Sequence, residues 1–87
     1  MTIHKALIFF DADDKAQVKW VNNLNQKLSG KTKLILVNGS VSDQVKYFHQ
    51  AIYFDQAGRL TSKFHIQHVP AVVVQDGLHL KISEVAI

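Results

Sequence analysis

The chain has 87 residues, of which 47% are apolar and 20% charged. That suits one folded domain with a real core; it leaves no room for a second domain and excludes a disordered chain. The formal charge of +3 comes from scattered lysines and one arginine, Arg59, without the concentrated basic face of a nucleic-acid binder.

Residues Ala6 to Phe10 (ALIFF) form a continuous apolar run ending in Asp11, Asp13 and Asp14. A run apolar on both faces reads as a buried central strand of a parallel sheet. Asp14, with Gln17 three places on, has the spacing of a capping box and predicts a helix start. Trp20, Val21, Leu24 and Leu28 then recur at helical spacing, and Gly30 stands where a terminating glycine belongs. Leu34 to Val37 (LILV) is a second buried strand, so the chain opens with a right-handed βαβ unit.

Ser40 caps a short helix, with Asp43 at its third position and Val41, Val45 and Phe48 on the inner face. Tyr47 and Phe48 are adjacent, which turns one of them outward. Ala51 to Phe54 (AIYF) is a short strand ending in Asp55, and Gly58 opens another short helix bearing Leu60 and Phe64. Val69 and Pro70, the single proline, lead into the β-branched strand Ala71 to Val74. Asp76-Gly77 is a hairpin signal. From Leu78 the chain alternates, with Leu78, Leu80 and Ile82 on one face and His79 and Lys81 on the other.

The absence of cysteine excludes disulfides, dithiol catalysis and thiolate metal sites. No apolar run is long enough to span a bilayer, and the first residues do not read as a signal peptide. The chain is then either cytosolic or the mature part of a longer exported protein. The serines lack a Gly-x-Ser-x-Gly elbow. Asp11 and Asp13 resemble the Asp-x-Asp opening of haloacid-dehalogenase phosphatases, where carboxylates serve Mg²⁺ and phosphoryl transfer, but this chain is far too short for that fold. His65 and His68, three apart, could join Asp55 in a zinc or copper site. These residues carry the alternative reading, a small metal-dependent enzyme or metal-binding protein using Asp11/Asp13 or His65/His68. Ordinary helix capping and exposed histidines explain the same residues without a metal.

In the second half, a strand ending in Asp55 and a short helix lead to Phe64-His65-Ile66, then Val69-Pro70, a β-branched strand and a turn with Gly77. This order resembles the closing half of thioredoxin-fold domains, where an aromatic-Gly-Ile segment precedes a cis-proline and a hairpin. The first strand and the helix from Asp14 match their core strand and active-site helix. The resemblance implies a thioredoxin-like α/β fold: a βαβ start, a C-terminal ββ hairpin, a mixed sheet with helices on both faces, and no terminal helix. His65 replaces the usual glycine. Asp11, Asp13 and Asp14 stand where that fold keeps its thiols.

The strings FFDADDKAQVKWV, LILVNGSVSD and YFDQAGRLTSKFHIQHVPAVVVQDGLHLKISEV resemble, in order and spacing, the C-terminal region of the TraW family of type-F conjugative transfer systems. The related TrbC family has a similar pattern. The resemblance implies a single domain over residues 1–87, excised from a longer exported protein and periplasmic. It also implies a non-catalytic protein-interaction role in a type IV secretion system that assembles the conjugative pilus. It points to a TrbC-type conjugation protein as partner; the residues themselves lead to the expectation of no cofactor, nucleic-acid partner or membrane insertion. The expected partner-binding residues surround the vacated thiol site: Asp13 and Asp14 on one side, His68, Val69 and Pro70 on the other. There Val69 would offer its backbone N–H and C=O to an extended peptide.

Overall fold

Every other strand is placed relative to the first. A computed structural model describes residues 4–87, in which β1 (Ala6–Asp11) holds the middle of a five-stranded sheet. Its apolar run pairs in parallel with β2 (Thr32–Asn38) on one side. On the other side it pairs antiparallel with β4 (Ala71–Asp76). β3 (Ile52–Phe54) extends the parallel half beyond β2, and β5 (His79–Glu84) closes the antiparallel half beside β4. The order is β3-β2-β1-β4-β5, the expected mixed sheet with a βαβ start and a C-terminal hairpin.

Helices cover both faces, again as expected of a thioredoxin-like fold. Ile8 and Phe10 of β1 and Leu34 and Leu36 of β2 point to the face covered by α1 (Lys15–Lys27) and α2 (Val41–Phe48). Phe9 and Ile35 point the other way, into a second core with Ala71, Val73 and Phe64. Phe64 caps the C-terminus of the short α3 (Arg59–Lys63), which follows a 3-10 turn at Gln56–Gly58. Edge-to-face ring pairs mark both layers, Phe10 against Phe48 and Phe9 against Phe64. No helix follows β5 among the described residues, and none of their helices is long and apolar enough to cross a membrane.

Local signals set the element ends, with corrections. Asp14 caps α1 as expected, its Oδ1 accepting from the N–H groups of Ala16 (3.0 Å) and Gln17 (3.4 Å). Gln17 does not close the box on Asp14. Its Nε2 donates to Asp14 Oδ2 and its Oε1 accepts the Asp11 N–H at 2.9 Å, fastening the helix to the end of β1. At the far end Ser29, not Gly30, takes the first left-handed position (φ 55°). Its N–H bonds to Gln26 C=O, and that of Gly30 to Asn25 C=O, the paired pattern that closes helix ends. Ser40 caps α2 through the Asp43 N–H. Val45 faces solvent instead of the inner face, while Phe48 is buried and Tyr47 is the outward ring of the pair, 52% exposed.

The hairpin also shifts by one residue. Asp76 pairs with His79, so the turn is Gly77-Leu78 and not Asp76-Gly77. Glycine with positive φ at the first turn position suits such two-residue loops. Leu78 is consequently 97% exposed and does not join Leu80, which packs on the second core.

A buried polar ring ties the bottom of the first layer together. Asn25 of α1 donates from Nδ2 to Gln50 Oε1 at 2.8 Å, and Thr32 Oγ1 of β2 donates to Asn25 Oδ1. Gln50 Nε2 closes the ring on Thr32 Oγ1. Removing one member strands buried donors and acceptors, which costs roughly 1–3 kcal/mol. Asn25→Ala is therefore expected to lower the unfolding free energy by about 2 kcal/mol in urea titrations, with the fold otherwise retained.

Candidate functional site

The acidic turn between β1 and α1 is held from the neighbouring strand. The β1–β2 register shifts after Phe10, so that Asp11 sits opposite Asn38. Asn38 Nδ2 then reaches Asp11 Oδ1 (3.1 Å) and Asp13 Oδ2 (2.9 Å), while Asp11 Oδ1 also accepts the Asp13 N–H at 2.9 Å. Gly39 makes this approach possible. Its φ is +111°, and a Cβ there would meet the Ala12 Cβ at 2.6 Å. Asp13 is thus turned toward the end of β2, and Asp14 toward the helix N-terminus. Among the described residues no group of three or more His, Cys, Asp or Glu side chains could hold a metal ion.

The opposite wall is the segment between α3 and β4. α3 ends in paired bonds from the His65 N–H to Ser62 C=O and from the Ile66 N–H to Thr61 C=O. His65 adopts φ 56°, so it keeps the left-handed turn in which glycine is favoured. The helix start is secured by Asp55, which is only 5% exposed. Its two carboxylate oxygens accept from Leu60 N–H (2.7 Å) and Thr61 N–H (3.0 Å). They supply the cap that Gly58, at the N-cap position, cannot. Burial pushes the Asp55 pKa up, but the bonds from Leu60 and Thr61 outweigh it and hold it below 3.8.

Glu84, at the end of β5, anchors the rest of the segment. Its Oε2 accepts from the N–H groups of Gln67 (2.6 Å) and His68 (3.0 Å). Those two bonds, in that order, hold its pKa below the usual 4.5. The Val69–Pro70 peptide is cis, Pro70 is buried, and its carbonyl accepts from Val85 N–H at 2.8 Å.

The two walls meet at a hollow of about 380 Å³ lined by Asp14 and Gln17 on one side, His68 and Val69 on another, and Glu84 to Ile87 on the third. Of the five expected residues, Asp14, His68 and Val69 border it together. Pro70 lies buried behind Val69, and Asp13 is turned to Asn38. A hollow of about 670 Å³ lies between α1 and α2, so size does not single this one out. Its wall does carry open backbone: no hydrogen bond joins the N–H or C=O of Val69 to any described residue. Sequence reasoning missed Glu84 and Gln17. Glu84 lies 16 residues from His68, with no spacing signal to link them.

Three outcomes follow. His65→Gly is expected to raise stability by about 0.5 kcal/mol, since it relieves a left-handed non-glycine residue, measurable by urea denaturation. Asp55→Ala is expected to cost about 1–2 kcal/mol at neutral pH by removing the cap. Because the folded pKa of Asp55 lies below 3.8, its stabilisation is fully present above that value and is lost as pH falls through the folded pKa. Stability curves of the two proteins should therefore converge below about pH 4. Glu84→Gln should speed amide hydrogen exchange at Gln67 and His68 while leaving the two cores protected.

No family model matches the chain, and no solved structure does. Among curated proteins, it is 37% identical to Protein TraW of Escherichia coli (strain K12) over 70 residues, 80% of this chain and 33% of that protein. The chain spans about a third of the length of the curated relative it matches. The resemblance to the TraW family expected from the residues around Asp11, Asn38 and Pro70 is thus matched by a relationship to TraW that covers most of this chain.

Proposed function

We propose that this domain is a non-catalytic protein-interaction part of a type-F conjugative transfer system, a type IV secretion apparatus that assembles the pilus, and that it works in the periplasm. The reading rests on the relationship to TraW and on one structural observation. At the place where a thioredoxin-like domain keeps its thiols, this chain has no cysteine but leaves the Val69 backbone unbonded beside a hollow. An unpaired backbone N–H and C=O are the groups by which a peptide adds as a strand. Such docking needs a rigid wall and an open backbone edge, and it needs no nucleophile.

The residues act as follows in this reading. Glu84 fixes the Gln67-His68 backbone, so that Val69 is presented in one orientation. Asp14 is committed to the α1 N-terminus and sets the far wall. His68 stands at the rim and would contact the bound segment. A TrbC-type conjugation protein is the partner we expect.

Titrating the isotope-labelled domain with a purified TrbC-type protein, followed by amide NMR, tests this. Shifts confined to Asp14, His68, Val69 and their neighbours are the expected result. Shifts centred on α2 around Tyr47 would keep the interaction role and move the site. No shifts at high partner concentration would count against the partner assignment.

A further inference from the structure

The β3 edge of the sheet carries a surface separate from the cis-proline hollow. β3 pairs with β2 and lies last in the sheet order. The Asp55 N–H bonds inward to Leu36 C=O at 2.9 Å, so the alternation of a parallel strand turns the N–H and C=O of Ile52 and Phe54 outward. An open edge is a template for another strand unless charge, proline or a bulge blunts it. The three residues Ile-Tyr-Phe supply none of these.

Beside this edge runs a groove of about 310 Å³ between the β2–β3 pair and α3. Its floor is Leu7, Ile35, Tyr53, Leu60 and Phe64. Tyr53 is 46% exposed, a large ring only partly covered. Lys33 and Lys63 form the rim, with the Lys33 Nζ 4.5 Å from the centre of the Tyr53 ring. Past Lys33 the groove continues into a hollow of about 470 Å³, which adds His4 and Lys5. Neither part is lined by an Asp or Glu. Asp55, which follows β3, spends both its oxygens on the amides of Leu60 and Thr61.

Each feature narrows the occupant. The outward amide and carbonyl groups match extended backbone. The exposed part of the ring matches an apolar side chain, and lysines with no carboxylate beside them match carboxylates. A nucleic acid or an anionic lipid surface would answer the lysines but leave the strand edge unpaired. We infer that the β3 edge docks an extended segment of a partner protein, in which an apolar side chain is flanked two residues away on each side by Asp or Glu. The segment adds as a sixth strand beside β3. Its apolar side chain rests on Tyr53 and Leu60, and its carboxylates meet Lys33 and Lys63.

The probe is the peptide acetyl-Glu-Thr-Leu-Thr-Glu-amide, with a counterpart carrying Lys in place of Glu, each titrated into the labelled domain. The expected result is saturable amide shifts at Ile52, Phe54 and Leu60 with the acidic peptide and none with the basic one. Lys33→Glu with Lys63→Glu, both exposed positions, should weaken binding by about tenfold or more and steepen the mismatch with the acidic peptide. Strand addition has its own control. Proline is tolerated on an edge where its missing N–H faces solvent, so Phe54→Pro should fold yet bind about tenfold more weakly than Phe54→Ala. Equal binding by those two variants would overturn strand addition. Shifts at Val69 instead of β3 would assign the peptide to the cis-proline hollow and overturn this site alone. Binding of a single-stranded oligonucleotide or phosphatidylserine vesicles with no response to the peptide would overturn the protein-segment assignment.

Discussion

Burial of β1 on both faces is the constraint from which the other features descend. Ile8, Phe9 and Phe10 are fully excluded from solvent, and each contributes on the order of 2 kcal/mol from burial. Successive side chains of a strand point to opposite faces, so three consecutive apolar residues require cover on both. One layer of helices cannot supply that. The chain therefore places α1 and α2 over Ile8 and Phe10 and sends α3 across the other side to meet Phe9. A strand buried in this way also needs a paired neighbour on each edge. Parallel β2 and antiparallel β4 provide them.

The candidate site is a by-product of that arrangement. β1 ends beside Asn38 and turns into α1, while β4 begins beside β1 after the cis bond at Pro70. Both turns thus come to the same end of the central pair. In a domain with thiols this junction would hold redox chemistry. Here its polar groups are mostly spent on structure: Asp11 and Asp13 on Asn38, Asp14 on the helix amides, and Glu84 on Gln67 and His68. What remains open is backbone, at Val69, and backbone recognises an extended chain by geometry more than by side-chain chemistry.

The sheet has two edges of different character. β5 is a six-residue strand that carries Lys81 and Glu84, charges of the kind that discourage uncontrolled pairing. β3 is short, aromatic and uncharged, with lysines set on the strand and helix beside it. The first edge repels a generic strand, and the second selects among strands by sign of charge.

How far the sequence reached follows from the range of each interaction. Interactions within a few residues were legible from it alone: the apolar runs of β1, β2 and β4, the caps at Asp14 and Ser40, the short helix before Pro70, and the placing of Asp14, His68 and Val69 near one another through the thioredoxin-like order of elements. Errors of one residue arose where neighbours compete for a conformation. Ser29 takes the left-handed position beside Gly30, and the turn falls on Gly77-Leu78 because pairing of Asp76 with His79 outweighs the Asp-Gly preference. Contacts between distant residues were decided by the tertiary structure. These include the Asn25-Thr32-Gln50 ring, the Glu84 anchor on the loop before Pro70, the turning of Asp13 to Asn38, and the open outer face of β3. No local pattern encodes them, because each depends on which strands lie side by side, and that is set by closing two cores around β1.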